Sequence, residues 1–252
     1  MKKSIFLIVI LSCFGFTFAH QPTPYNPSAP SHNENKRILF GIAVGPTVDW
    51  FAPTFQKIER EKAKGGLIAG LHLDINLTKE SFLYFSTGLL VRYLQGDISY
   101  TKQYNFSKIL PMDTSLIVPT VTTYQTTYLT VPTGIKFRAS FAKKCVFAAK
   151  LGLYHNFRVG GKMFDNFSLP GKDPDYFVTT KKEKNTHAAL FAESAYLGVG
   201  FEYALGTSSR VFVNADYSCQ FNYFNSKATS NISNERFKSI IHSLHIAFGI
   251  LF

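Results

Sequence analysis

Long hydrophobic runs are scarce in this sequence of 252 residues. Apart from residues 5–16, no stretch approaches the ~20 apolar residues that a membrane-spanning helix needs. Charged residues make up only 17% of the chain, although its formal net charge is +11. The basic residues are scattered singly, and no basic block with interleaved aromatic residues occurs. The sequence therefore predicts no nucleic-acid partner.

Cysteine is also rare, with three residues in the chain. Cys13 lies in a predicted signal peptide, which leaves Cys145 and Cys219. These two are predicted near opposite ends of their strands, too far apart for a disulfide. The histidines are dispersed without the spacing of metal ligands. We therefore expect no metal, no cofactor and no catalytic residue.

The N-terminus has the pattern of a secretory signal peptide, predicted over residues 1–19. Lys2 and Lys3 form its basic region, residues 5–16 its apolar region, and Ala19 the cleavage position. Residues 20–37 are rich in proline and have too little apolar surface to pack, so we expect a flexible segment. Residues 38–252 form the single predicted domain. An exported chain of this kind is either soluble or crosses a membrane as a barrel.

Alternation of apolar and polar residues is the strongest signal in the chain. From Leu67 to Leu77 apolar residues recur at every second position, a polar turn follows at 78–81, and the alternation resumes from Leu83 to Tyr93. Because side chains of a strand alternate between faces, this stretch is a hairpin with one apolar and one polar face. About eight such strands can be counted, each of about ten residues or more.

The connections between these strands alternate strictly between long and short. This predicts an all-β fold, a single closed antiparallel transmembrane β-barrel of about eight strands, with short periplasmic turns and long extracellular loops. Long loops are predicted at 49–65, 95–122, 160–187 and 225–238. Pro132 in the fourth strand predicts a bulge or a locally opened register, because proline donates no ladder hydrogen bond. The expected location is the cell outer membrane.

The polar face is predicted to line the lumen, which eight strands make just wide enough for side chains to fill. Charges there persist only if they are paired. We expect Asp74, Lys136 and Glu202 at one height above the short turns, with Lys150 and Asp216 higher and His245 beside Asp216. The predicted lumen polar network comprises Asp74, Arg92, Lys136, Arg138, Lys150, Glu202, Asp216 and His245.

The last strand is predicted to close the barrel. Phe252 ends this strand, which must pair with the segment of Phe40, Ile42 and Val44. Phe248 and Phe252, with apolar residues at alternating positions, resemble the C-terminal signal that the barrel-assembly machinery reads. We therefore expect that machinery to be a partner during insertion.

Three segments resemble the PorT-like (porin) family of outer-membrane β-barrels of Gram-negative bacteria: 66–71 (GLIAGL), 85–90 (FSTGLL) and 128–137 (YLTVPTGIKF). The Tyr-Leu-x-x-Pro piece with its apolar-Lys-aromatic ending is the most specific of them. The resemblance covers residues 38–252. It implies the fold and the location, and no catalytic role. Some members of that family serve type IX protein secretion.

Two classes of function stay open. In the first, the protein is a non-enzymatic barrel with a side-chain-filled lumen, whose loops bind a protein or glycan partner and whose surroundings are outer-membrane lipid and lipopolysaccharide. In the second, it is a small-solute or proton-conducting porin, a component of a type IX secretion apparatus, or an enzyme. An enzyme would need a rim site such as His187, Asp175 and Ser194.

Overall fold

The computed structural model describes residues 37–53, 59–78, 82–105, 115–142, 144–168, 177–185, 187–206, 209–224 and 238–252. The predicted signal peptide and residues 20–36 of the proline-rich segment lie outside the described residues. In the part of the chain that is described, no helix is long and apolar enough to cross a membrane.

Among the described residues, eight long antiparallel strands make up the fold, as the alternating pattern predicts. Each pairs with the strands before and after it, and the last pairs with the first, so the sheet closes into a ring. At the closure Gly41 lies opposite Leu251, and the amide of Phe252 donates to the carbonyl of Phe40 at 2.7 Å. The strands are β1 Ile38–Pro53, β2 Lys64–Asn76, β3 Leu83–Asn105, β4 Ser115–Ala142, β5 Cys145–Ser168, β6 Phe191–Ala204, β7 Arg210–Gln220 and β8 Ser239–Leu251.

Three short strands lie outside the ring of eight. Glu59–Arg60 pairs with β3, and Phe177–Thr179 and Glu183–Lys184 both pair with β5. All three lie at the end of the barrel that carries the long connections. They add width to that end without extending the membrane-spanning ring.

Each strand of the membrane-spanning ring places most of its large apolar side chains on the outer face. In β1 the side chains of Ile38, Phe40, Ile42 and Val44 are exposed, whereas the residues between them are buried. Exposed aromatic residues lie towards both ends of this outer face, as expected at the two interfaces of an outer membrane. Towards the short turns they are Phe40, Phe82, Phe137, Phe141, Phe147, Phe201, Tyr203, Phe248 and Phe252. Towards the long connections they lie on β5, β6, β7 and just after β7, and are Phe157, Phe191, Tyr217, Phe221 and Tyr223.

Two prolines open the ladders that they face. The β3–β4 pairing runs to Thr87 opposite Thr133 and resumes at Leu90 opposite Thr130, so the pair at Pro132 is missing. The register is the same on both sides, so this is the locally opened register and not the bulge. The β1–β8 pairing is interrupted in the same way at Pro46.

Three predicted loops are wrong in large part, because strands continue through them. Residues 95–105 belong to β3, 115–122 to β4, 160–168 to β5, and β1 runs on to Pro53. Beyond the hydrocarbon core neither face of a strand meets lipid acyl chains, so the apolar–polar alternation that marks a strand is lost. Threonine and tyrosine, which favour strands, are frequent there. We call residues 95–105, 115–127 and 160–168, with the two short strands that pair with β5, the extension.

A β-bulge at Val159 marks the start of the extension. Tyr128 lies opposite Arg158, whereas Thr127 lies opposite Gly160, so Val159 is an extra residue in β5. An extra residue reverses the alternation of faces beyond it. As a result Asp165 points into the extension and is buried, and Lys162 points outward and is exposed.

Candidate functional site

The lowest layer of the lumen is a cluster of ion pairs around Lys136. The Nζ atom of Lys136 lies 2.7 Å from Asp74 Oδ2 and 2.8 Å from Glu202 Oε1. Arg138 pairs with the other oxygen of Glu202, which is 0% exposed. These side chains come from three strands, so the cluster joins β2, β4 and β6 across the lumen near the short turns.

Neutral groups complete this layer. Ser86 Oγ donates to Asp74 Oδ1 at 2.6 Å. The Arg138 guanidinium lies over the Tyr84 ring, 4.9 Å from its centroid. Buried charges are tolerated when their remaining hydrogen-bonding atoms have partners, and this layer meets that condition for Asp74.

The middle layer is built from β5, β7 and β8. Lys150 Nζ lies 2.7 Å from Asp216 Oδ2, to which the Tyr154 hydroxyl also donates at 3.2 Å. His245 lies directly opposite Asp216 in the β7–β8 ladder, and its ring stacks on Tyr154 with centroids 5.5 Å apart. Ser218 Oγ lies 3.2 Å from His245 Nε2.

The upper layer contains a residue that the sequence reasoning missed. Asp49 Oδ1 accepts from Arg92 Nη2 at 2.7 Å and from Ser243 Oγ at 2.6 Å, and Thr47 Oγ1 donates to Asp49 Oδ2 at 2.9 Å. Arg92 also contacts Ser243 directly. Asp49 was assigned to a loop. The signal that places it in the lumen is the buried face of Gly41, Ala43 and Gly45, which continues by steps of two to residue 49.

An apolar cap covers these layers at the wide end. Its centre is Phe224, which is 0% exposed and packs against Phe51 and Tyr124 with ring centroids 4.9 and 5.5 Å away. The Phe224 amide donates to the Ser239 carbonyl at 2.8 Å, and the Ala189 amide donates to the Phe224 carbonyl at 2.6 Å. The buried residues of the cap are Phe51, Leu94, Ile98, Tyr124, Tyr128, Ala188, Ala192, Phe224 and Ile241.

The connection before β6 is fixed to the barrel mouth by polar contacts. Arg158 Nη1 donates to the carbonyls of Asn185 and Ala188 at 2.7 and 2.6 Å. The buried Asn185 amide donates to Thr126 Oγ1 at 3.2 Å, and its oxygen accepts the backbone amides of His187 and Ala188. These bonds hold Ala188 in the cap.

Little empty space remains between the layers. Two cavities border on His72 and Lys150, one on the side of His245 and the other on the side of Asp74. Each has a volume of about 10 Å³, which is room for roughly one water molecule. The arrangement keeps charges in place and does not resemble an aqueous channel.

Two other groups of polar residues bear on function. On the outer face, Thr133 Oγ1 lies 2.9 Å from His155 Nε2, and His155 Nδ1 lies 3.2 Å from Glu193 Oε1. This is the order of a hydroxyl–imidazole–carboxylate relay. Of the suggested rim trio, Ser194 is buried in the lumen near Asn156, His187 lies in the connection before β6, and Asp175 lies outside the described residues.

Inside the extension, Asp165 is the main acceptor. Lys102 Nζ lies 2.6 Å from Asp165 Oδ2, and Thr122 Oγ1 donates to Asp165 Oδ1 at 2.5 Å. Thr122 Oγ1 also lies 2.9 Å from the Tyr100 hydroxyl. Burial raises the pKa of Tyr100 to about 12. Burial, and then the Lys102 ammonium, lower the pKa of His187. The extension therefore has an ordered polar interior of its own.

The two cysteines lie far apart. Cys145 pairs with Tyr203 and Cys219 with Ala195 on β6, eight residues along one strand. At about 3.3 Å per residue this is a separation of roughly 26 Å along the strand. Both thiols are free.

Comparison with known proteins gives one family and several solved structures. The family described as outer membrane protein beta-barrel domain matches residues 21–223. No curated protein matches the sequence.

The matching solved structures include an attachment protein, an outer membrane protein and a protease. Ail, the attachment invasion locus protein of Yersinia pestis, in complex with sucrose octasulfate, is 12% identical, with 86% of this chain and 100% of that chain covered and a TM-score of 0.35. OprG of Pseudomonas aeruginosa is 8% identical, with 85% and 95% covered and a TM-score of 0.40. The protease OmpT of Escherichia coli is 9% identical, with 85% and 96% covered and a TM-score of 0.32. At these scores none of the three says what this chain binds or does.

Proposed function

Because the chain belongs to the family of outer membrane protein β-barrel domains, we propose that it is a closed, non-enzymatic barrel that displays its extension as an interaction surface outside the cell. PorT-like membership, indicated by residues 128–137, is part of this proposal. So are a signal peptide over residues 1–19 and a flexible segment over 20–37. Insertion depends on the barrel-assembly machinery, with Phe248 and Phe252 as its signal.

The observation that carries the proposal is the filled lumen. Three ion-paired layers, centred on Lys136, Asp216 and Asp49, lie below an apolar cap centred on Phe224. An eight-stranded barrel filled in this way has no room for a hydrated solute. The parts that remain free to bind a protein or glycan are the extension and the long connections. Conduction of a solute or of protons, and a role in type IX secretion, have no comparable support.

Conductance tests the closed lumen. The purified full chain, folded in detergent, is added to a planar lipid bilayer, with a known open porin as the positive control. We expect no steady current at either polarity. Reproducible currents that Lys136→Met or Glu202→Gln abolishes would mean that the lumen is a pathway, and the proposal would be wrong.

A shortened extension tests the interaction surface. Residues 97–123 are replaced by Asn-Gly, so that Gly96 and Tyr124, which are paired in the ladder, flank a two-residue hairpin turn. We expect this variant to insert normally and to lose the crosslinks that the wild type forms at the surface of intact cells. Unchanged crosslinks would place the binding surface elsewhere.

The relay of Thr133, His155 and Glu193 favours a second candidate, hydrolysis of lipid esters at the outer interface. Thr133 Oγ1 would attack the acyl carbon and pass its proton through His155 to the departing alcohol, and water would then release the fatty acid. The test is ester hydrolysis in mixed micelles. Loss on Thr133→Val but not on Thr87→Val, its cross-strand neighbour, would support the candidate. No hydrolysis by the wild type supports the non-enzymatic barrel.

A further inference from the structure

We infer that exposed lysines on the outward face of the extension bind phosphate groups of outer-leaflet glycolipids. The four residues are Lys162 on β5, Lys184 on the short strand beside it, and Lys181 and Lys182 just before that strand. The inference rests on the proposed function, because it names the chemistry of one partner of the extension.

The strand register brings two of the lysines together. Lys162 and Lys184 are directly opposite in the antiparallel ladder between β5 and Glu183–Lys184. Opposite residues in such a ladder have Cβ atoms about 4.5–5.5 Å apart and point to the same face, and like charges there repel. Lys162 faces outward because the bulge at Val159 reverses the alternation of β5. The fold therefore holds two ammonium groups side by side, which is a stable arrangement when an anion lies between them.

The neighbouring carboxylates do not neutralise this face. Among the described residues, none of the four lysines has a carboxylate oxygen within ion-pair distance, whereas Asp97 is paired with Lys64 and Asp165 with Lys102. Glu183 lies opposite Met163 and not opposite Lys162. Adjacent residues of a strand point to opposite faces, so the Glu183 carboxylate is directed away from the face of Lys184.

A third lysine is held beside this pair. Lys182 Nζ lies 5.3 Å from the centroid of the Phe164 ring. Phe164 is two residues after Lys162 in β5 and so shares its face. A cation over an aromatic face is stabilised without being neutralised. Three ammonium groups thus converge on one side of β5, and compact, flexible ammonium groups suit a phosphate that presents several oxygens.

The height of the face identifies the source of the phosphate. Val159 is 64% exposed and is the last outward apolar residue of β5 before Lys162. Lys162 lies opposite Gln125, two ladder steps beyond Thr127, and Val159 lies between the levels of Tyr128 and Thr127. Lys162 is therefore roughly 7–10 Å further along the strand than Val159, and less than that above the hydrocarbon core because the strand is tilted. This is the depth of the polar headgroup layer, which adds several ångströms to each side of the hydrocarbon core. We therefore assign the face to lipid headgroup phosphates and not to a soluble polyanion.

Binding of defined lipids to the full chain in detergent tests the inference. The probes are bisphosphorylated lipid A, the same lipid after dephosphorylation, and inorganic phosphate. The variant Lys162→Gln/Lys182→Gln/Lys184→Gln is compared with Lys62→Gln/Lys144→Gln/Lys238→Gln, which removes as many charges elsewhere. Both variants should keep the compact mobility of the folded barrel in gel electrophoresis, which shows that they fold.

We expect the first variant to bind bisphosphorylated lipid A about tenfold more weakly, which corresponds to about 1.4 kcal/mol. The control variant should bind bisphosphorylated lipid A as tightly as the wild type does. The wild type and both variants should bind the dephosphorylated lipid with the same affinity. Equal affinities of the two variants, an equal loss with the dephosphorylated lipid, or displacement of the lipid by stoichiometric inorganic phosphate would each overturn the assignment. Ion currents would overturn the closed barrel instead, so the two failures are distinguishable.

Discussion

The lumen and the outward face of the extension are built from the same strands but differ in how their charges are arranged. On β4 the lumen residues Lys136 and Arg138 both lie against Glu202, and Asp74 completes the group. On β5, beyond the bulge, Lys162 lies opposite another lysine and is exposed. Taking a charge out of water costs several kcal/mol unless a partner compensates, whereas an exposed charge needs none. In this molecule, paired charges hold the barrel together, and unpaired charges are available for binding.

The largest expected effect comes from breaking a pair in the lumen. Lys136→Met leaves the Asp74 and Glu202 carboxylates without their shared cation and should cost about 3–5 kcal/mol of the free energy of unfolding. Glu202→Gln should act in the same direction. The measurement is the urea concentration at which the detergent-solubilised barrel loses its compact gel mobility.

Lys162→Met is the matched control, because it removes an exposed lysine from the neighbouring strand. It should change the free energy of unfolding by less than about 0.5 kcal/mol. Equal destabilisation by the two substitutions would contradict the contrast between the lumen and the extension.

A double-mutant cycle sharpens the comparison in the upper layer. Arg92→Met leaves the buried Asp49 carboxylate with hydroxyl partners only, so adding Asp49→Asn should recover part of the loss. We expect a coupling energy of about 1–3 kcal/mol from urea unfolding. Asp49→Asn combined with Lys162→Met should be additive, because these residues lie in different regions. Additivity of the first pair would mean that Asp49 and Arg92 are not energetically linked.

Deleting Val159 tests whether the bulge does no more than accommodate one extra residue. The ladder on either side is already in register, because Tyr128 lies opposite Arg158 and Thr127 opposite Gly160. The deletion should therefore leave Lys162 outward and Asp165 inward, with both the extension and the barrel folded. Limited trypsin digestion should cut at Lys181 and Lys182 no faster than in the wild type, with the compact gel mobility unchanged. Faster digestion of the deletion variant, but not of Val159→Ala, would mean that the bulge itself is needed to fold the extension.

The smallest expected effect is at Tyr100. Its pKa is raised from 10.0 to about 12 by burial, so the unfolded residue loses its proton first as the pH rises. The extension should therefore lose stability between pH 10 and about 12. In Tyr100→Phe, tyrosinate absorbance should show one fewer tyrosine titrating near pH 12 than in the wild type. A difference spectrum that appears near pH 10 would mean that Tyr100 is exposed.

The lumen residues could be predicted because alternation reports which face a side chain occupies. The alternation predicts Lys136, Lys150 and Glu202 on the inner face, and all three side chains are buried. Asp49 was missed because the predicted loop begins at residue 49, whereas the buried face of β1 continues through Thr47 to Asp49. The outward faces that meet lipid gave the clearest signal, since only apolar residues are tolerated there.

The extension and the cap could not be predicted in the same way. Outside the membrane no apolar face marks a strand, so residues 95–105 and 115–122 looked like loops. The bulge at Val159 depends on the register between β4 and β5, and the sequence of β5 alone does not determine that register. Phe224 enters the cap through backbone hydrogen bonds to Ala189, in the connection before β6, and to Ser239, the first residue of β8.

The two open ladders at Pro46 and Pro132 have a mechanical consequence. They lie on the seams between β1 and β8 and between β3 and β4, which divide the ring into a block of three strands and a block of five. Each opening interrupts a ladder that continues on both sides, so the missing bonds weaken one height of the wall and not the whole seam. Amide hydrogen exchange should therefore be faster at Gly88 and Leu89, opposite the gap, than in the uninterrupted β6–β7 ladder, and Pro132→Val should slow it by restoring a donor to its seam.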